Sequence, residues 1–88
     1  NTSLRQWMMF EANWDTLGKF AEQHGDLIPP ALWRACLRRR LRSFLRWARK
    51  NAHELVPMIL NDVLLSLICT PEPAVWRRYA ARCRALAA

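Results

Sequence analysis

The sequence predicts an all-α chain folded as a compact four-helix bundle around a central hydrophobic third helix, and three observations predict it. Apolar residues recur at steps of three and four along most of the chain. Only two glycines are present, too few for a set of tight β-turns. Five Trp and three Phe in a 52% hydrophobic chain supply an aromatic-rich interior. Eighty-eight residues suffice for one helical domain, 1–88, with a modest stability margin. The chain opens on Asn1 without an initiator Met, so a processed protein or a domain excised from a longer one is expected. No internal repeat, Gly/Ser linker or low-complexity run divides it.

The first helix is expected to start at Ser3, which has the S-x-x-Q capping-box spacing with Gln6, and to end just before Gly25. Trp7, Phe10, Trp14, Leu17 and Ala21 fall within roughly 80° of its circumference and form the core seam. Met9 and Phe20 lie well off that seam. A second neighbouring helix is expected to cover them; otherwise they mark a hydrophobic docking surface.

Pro30 suits the first position of a second helix, because its missing N–H would have no partner there. This helix carries the most informative pattern in the chain. Arg34, Arg38, Arg42, Arg46 and Lys50 recur at a strict four-residue step, and Arg39 and Arg49 join the stripe. Trp33, Leu37, Leu41, Phe44 and Ala48 occupy the opposite arc, and Asn51 is placed to end the helix. Trp47 lies between the two faces and is expected to cover the edge of the core rather than to stack on a base.

A third helix is expected from Ala52 to Ile68, with Pro57 near its start and almost no polar face, which makes it the most buried element. Thr70-Pro71-Glu72-Pro73 reads as a cap, a proline and an acid in the first turn of a fourth helix. Its inner arc is Val75, Trp76, Tyr79, Cys83 and Leu86, and Arg77 and Arg84 face away. The longest apolar stretch, Leu55 to Cys69, is interrupted by Asn61 and Asp62 and is too short for the roughly 20 residues of a membrane-spanning helix.

Catalysis finds no support in sequence motifs. His24 and His53 lie on different elements and belong to no nucleophile motif, and no phosphate loop, H-E-x-x-H or dinucleotide fingerprint is present. No enzyme activity, small-molecule substrate, cofactor or metal is therefore expected. Cys36, Cys69 and Cys83 are odd in number and widely spaced, unlike a disulfide framework or a zinc site. Buried free thiols in an intracellular setting, cytoplasmic or nuclear or nucleoid, are expected.

The basic stripe is where function is expected to lie. Like charges at i, i+4 weaken a helix by roughly 0.2–0.5 kcal/mol per pair, and no acid lies between Leu32 and Asn51 to offset them. Either carboxylates of neighbouring elements answer the stripe, with Glu11, Asp15, Glu22, Glu54 and Asp62 as candidates, or an anionic partner does. The formal charge of +7, with Arg outnumbering Lys, favours a partner rich in phosphate. The sequence thus points first to a nucleic-acid backbone contacted by Arg34, Arg38, Arg39, Arg42, Arg46, Arg49 and Lys50, helped by Arg77 and Arg84. Its alternative is an acidic protein surface engaged by an adaptor domain, with Met9 and Phe20 as apolar anchors.

Overall fold

The computed structural model describes residues 2–87, and the side chains of residues 5–86. Among the described residues there is no strand, and the class is all-α with four helices: α1 (Thr2–His24), α2 (Pro30–Asn51), α3 (Val56–Leu65) and α4 (Pro73–Ala87). The chain forms two compact units. One comprises Asn1–Leu27 and Glu72–Ala88, so α1 pairs with α4; the other, Ile28–Pro71, contains α2 and α3.

In the first unit the expected seam of α1 is inward: Trp7 and Trp14 are buried and Phe10, Leu17 and Ala21 half-buried. Trp14 packs between two rings of α4, with centroids 5.4 Å from Trp76 and 4.8 Å from Tyr79. Gly18 lets the two helices approach here. A Cβ built on it would stand 3.3 Å from Trp76 Cβ and 3.4 Å from Arg77 Cγ, which is tight for a methyl group. The side chain of the expected cap, Ser3, lies outside the described residues. At the other end of α1, Gly25 does not take the left-handed conformation that favours glycine but opens a 3₁₀ turn, Gly25–Leu27.

Helix α4 starts two residues later than its sequence signals imply. Pro73 takes its first position, and Val75 N–H donates to Glu72 O at 2.9 Å, so Thr70, Pro71 and Glu72 lie before the helix. Pro73 explains the shift, since a proline disfavours the helical conformation in the residue before it. Trp76, Tyr79, Ala80 and Cys83 form the buried stripe of α4, with Val75 and Leu86 half-buried beside it.

In the second unit α2 starts as expected, with Pro30 in its first turn, and Pro29 O accepts from Leu32 and Trp33 N–H. It ends at Asn51, whose Nδ2 donates to Trp47 O at 3.0 Å, and Ala52 leaves helical geometry with φ −154° and ψ 68°. A 3₁₀ turn, His53–Leu55, then leads into α3.

Helix α3 departs most from expectation. It begins four residues later, at Val56, and ends at Leu65 instead of Ile68. Ser66 Oγ donates to Val63 O at 2.6 Å, while Leu67 and Ile68 N–H donate to Leu64 O and Leu65 O, three residues back. These bonds replace α-helical ones and close the helix. Nor is α3 the most buried element: Ile59 is its one fully buried residue, while Leu64 is 65% exposed and Ile68, just beyond the helix, 77%. Hydrophobic composition made α3 apolar all round, but its pairing with α2 covers one side only.

Candidate functional site

The faces of α2 separate as its periodicity requires. Trp33, Leu37, Leu41, Phe44 and Ala48 are all buried, within about 80° of the helix circumference. Trp47, also buried, sits just outside that arc and closes the core edge, where Phe44 stacks with it at 6.3 Å. On the other side, Arg49, Arg42, Arg46, Arg39 and Lys50 are all exposed and follow one another around about 100° of circumference. The remaining stripe residues, Arg34 and Arg38, are half-buried at the edge nearest the apolar arc.

Arg38 has a structural task as well. Its Nη1 donates to Ser66 O at 3.3 Å, placing a guanidinium at the C-terminus of α3, where cations stabilise the helix dipole. Its neighbour Arg40 was not in the sequence-derived set, because it falls off the four-residue stripe. It is exposed, and with Ala35, Cys36 and Arg39 it lines an open hollow of about 440 Å³ on α2. On the helix circumference Arg40 lies about 80° beyond Lys50, past buried Trp47, and so outside the cationic arc.

Ion pairing distinguishes the cations sharply. Among the described residues, the ion pairs are Lys19–Asp15 at 3.1 Å, Arg84–Glu11 at 2.7 Å and Arg77–Glu22. All three lie in the first unit, and none involves a cation of α2. The expectation that Glu11 and Asp15 answer the Arg-rich helix is therefore corrected: Glu11 serves α4, and Asp15 serves Lys19 on its own helix. Pairing of α1 with α4 sets the first choice, and the four-residue step along α1 sets the second. Hydrogen bonding and charge from Glu11 hold the pKa of Arg84 above its ordinary value. Arg77 and Arg84, expected to help the stripe, already have carboxylate partners.

Met9 and Phe20 are not covered by a second helix. Met9 is 64% and Phe20 45% exposed, and the Phe20 ring stands 5.0 Å from that of His24 on the next turn of α1. The thiols also differ from expectation, with Cys83 buried, Cys36 half-buried and Cys69 exposed, all three free. Burial, reinforced by the negative charge of Glu11, pushes the Cys83 thiol up to about 12. It is a core residue rather than a nucleophile. Cys69 is exposed because it follows the end of α3, two residues before Pro71 begins the approach to α4.

Among the described residues, no group of three or more His, Cys, Asp or Glu is placed to hold a metal ion, and no helix is long and apolar enough to cross a membrane. No protein-family model, curated protein or solved structure matches the chain. What the fold and its surface define is a helical protein with a cationic face on α2.

Proposed function

We propose that this chain is a non-enzymatic binding module in which the cationic face of α2 holds the phosphate backbone of nucleic acid with weak sequence specificity. One observation carries the reading: five exposed cations share one arc of α2, and among the described residues none of them is in an ion pair. A buried apolar arc on the same helix fixes that face, so the guanidinium groups are arrayed before any ligand arrives. Arg is suited to such contacts because its planar fork can engage two phosphate oxygens. The face contains neither Asn nor Gln, the side chains that pair best with adenine edges, which favours backbone contact over base reading. Arg77 and Arg84 become auxiliary in this reading, since carboxylates of α1 hold them. Three free thiols favour a reducing, intracellular setting for it.

Titration of labelled oligonucleotides at low salt tests the proposal. Binding should weaken linearly in log–log form as salt rises, and Arg42→Glu with Arg46→Glu should reduce the slope by about two, one for each phosphate contact removed. Failure of both duplex and single-stranded probes to bind at low salt would end this reading.

A second reading is favoured by a separate observation, the exposure of Met9 and Phe20. In it the chain docks an acidic protein, with these side chains as apolar anchors. Met9→Asp separates the two. Nucleic-acid affinity that ignores this substitution fits the first reading, whereas affinity for an acidic helical peptide that falls with it fits the second.

A further inference from the structure

Resting on that reading of α2, we infer that the face takes duplex nucleic acid in preference to single strands. Two features of the helix support this, and they are independent of each other.

The first is the placement of its aromatic rings. Single-strand binders combine a basic groove with exposed aromatic side chains on which unpaired bases stack. Helix α2 has three aromatic residues, Trp33, Phe44 and Trp47, and all three are buried. The exposed arc between Arg49 and Lys50 offers guanidinium and ammonium groups with no ring among them. A single strand laid on this face would find no aromatic ring for its bases, only guanidinium planes, which leaves its phosphates as the main contacts. A duplex loses nothing by that absence, because its bases are already stacked on one another.

The second feature is how the charges spread. From Arg34 to Lys50 the row runs about 24 Å along the helix axis, and over such a length a duplex carries about 14 phosphates at one per 1.7 Å. The exposed cations do not form one line along that row. They fan over about 100° of the helix, from Arg49 and Arg42 on one flank through Arg46 to Arg39 and Lys50 on the other, and Arg40 lies further round again. One backbone passing over a convex helix meets one flank of that fan. Two phosphate rails, facing each other across a groove about 12 Å wide, can meet both flanks of a helix about 10–12 Å in diameter. The fan therefore matches two strands better than one.

A salt titration of the full chain against a DNA duplex of about 20 base pairs and against each of its separated strands tests the inference. With about five phosphates contacted on the duplex the log–log slope should be near −4.5, and with about three contacted on one flank by a strand it should be near −2, so the duplex binds more tightly at low salt and loses affinity faster as salt rises. Arg39→Glu and Arg42→Glu, one on each flank, should each weaken duplex binding; on a single strand one of them should act and the other have little effect. Single strands that bind as tightly as the duplex would overturn the preference while leaving phosphate recognition intact. Absence of binding to every probe, or binding unchanged by both charge reversals, would remove the α2 site itself and the preference with it.

Discussion

The two units of this protein differ in how far they answer positive charge from within. In the unit of α1 and α4, each of Lys19, Arg77 and Arg84 has a carboxylate of α1 beside it, and a cluster of Trp14, Trp76 and Tyr79 fills the space between the helices. In the unit of α2 and α3, the cations of α2 have no acid on their own helix, and apolar side chains of α3 remain exposed. Unit one pairs half of its six cations with carboxylates and leaves Met9 and Phe20 exposed, whereas none of the α2 cations of unit two is in an ion pair among the described residues. Charge repulsion along α2 costs local stability, and the buried face of that helix, not its polar one, must hold it in place.

The comparison can be broken most forcefully at its aromatic centre. Trp76→Ala should destabilise the fold by about 3–5 kcal/mol, because a fully buried ring in contact with Trp14 is replaced by a cavity. Leu64→Ala, at a side chain 65% exposed, should change stability by no more than about 0.5 kcal/mol. Chemical denaturation measures both. Equal losses would mean that the face of α3 carrying Leu64 is covered in solution.

A smaller effect is expected at the glycines. Gly18→Leu forces a side chain into the contact with Trp76 and Arg77 and should cost about 1–3 kcal/mol. Gly25→Ala meets nothing within 4 Å and requires no left-handed backbone, so it should stabilise the protein by about 0.4–1 kcal/mol through the unfolded chain. Thermal denaturation of the pair gives opposite signs if α1 and α4 pack as closely as the structure has them.

Much of this organisation was legible in the sequence where one helix face decides it. The buried arc of α2, Trp33 to Ala48, follows from steps of three and four, and so does the seam of α1. What could not be read was anything that depends on which helices pair. Glu11 and Asp15 were matched to the Arg-rich helix on charge alone, while the packing of α1 against α4 gives Glu11 to Arg84. The apolar sequence of α3 likewise signals a core helix, yet periodicity carries no information about whether a second layer covers its far side. For the candidate site, the cations were visible from spacing, but the division of labour among them was not: Arg38 on Ser66 O, and Arg77 and Arg84 on carboxylates, require the fold.

The thiol of Cys83 sharpens the comparison through pH. Its pKa is raised from 9.0 to about 12 in the folded protein. A raised value means that the folded state keeps the proton while the unfolded chain releases it, so the stabilisation is complete below pH 9 and declines as pH rises toward 12. At pH 10, one pH unit above the unfolded value, the loss should be on the order of 1 kcal/mol. Cys83→Ala should show a correspondingly flatter decline in stability between pH 8 and 10, whatever its stability at neutral pH. Glu11→Gln should lower the thiol pKa, since the carboxylate charge contributes to the shift. Exposed Cys69 should react with an alkylating reagent under native conditions, while Cys83 remains protected.

The smallest change in stability is expected at Glu22, and it bears most directly on the difference between the units. Glu22 pairs with Arg77 while both side chains remain substantially exposed, at 40% and 55%. Such surface pairs contribute about 0–1 kcal/mol, so Glu22→Gln should leave the unfolding midpoint nearly unchanged. Its effect on ligand binding is a separate matter. If carboxylates of α1 keep the cations of α4 from joining phosphate recognition, neutralising Glu22 releases Arg77 and should strengthen nucleic-acid binding modestly at low salt. The same substitution should leave the sensitivity to Arg42→Glu unchanged, because that contact belongs to α2. A Glu22→Gln protein with unaltered affinity would show that Arg77 takes no part even when freed.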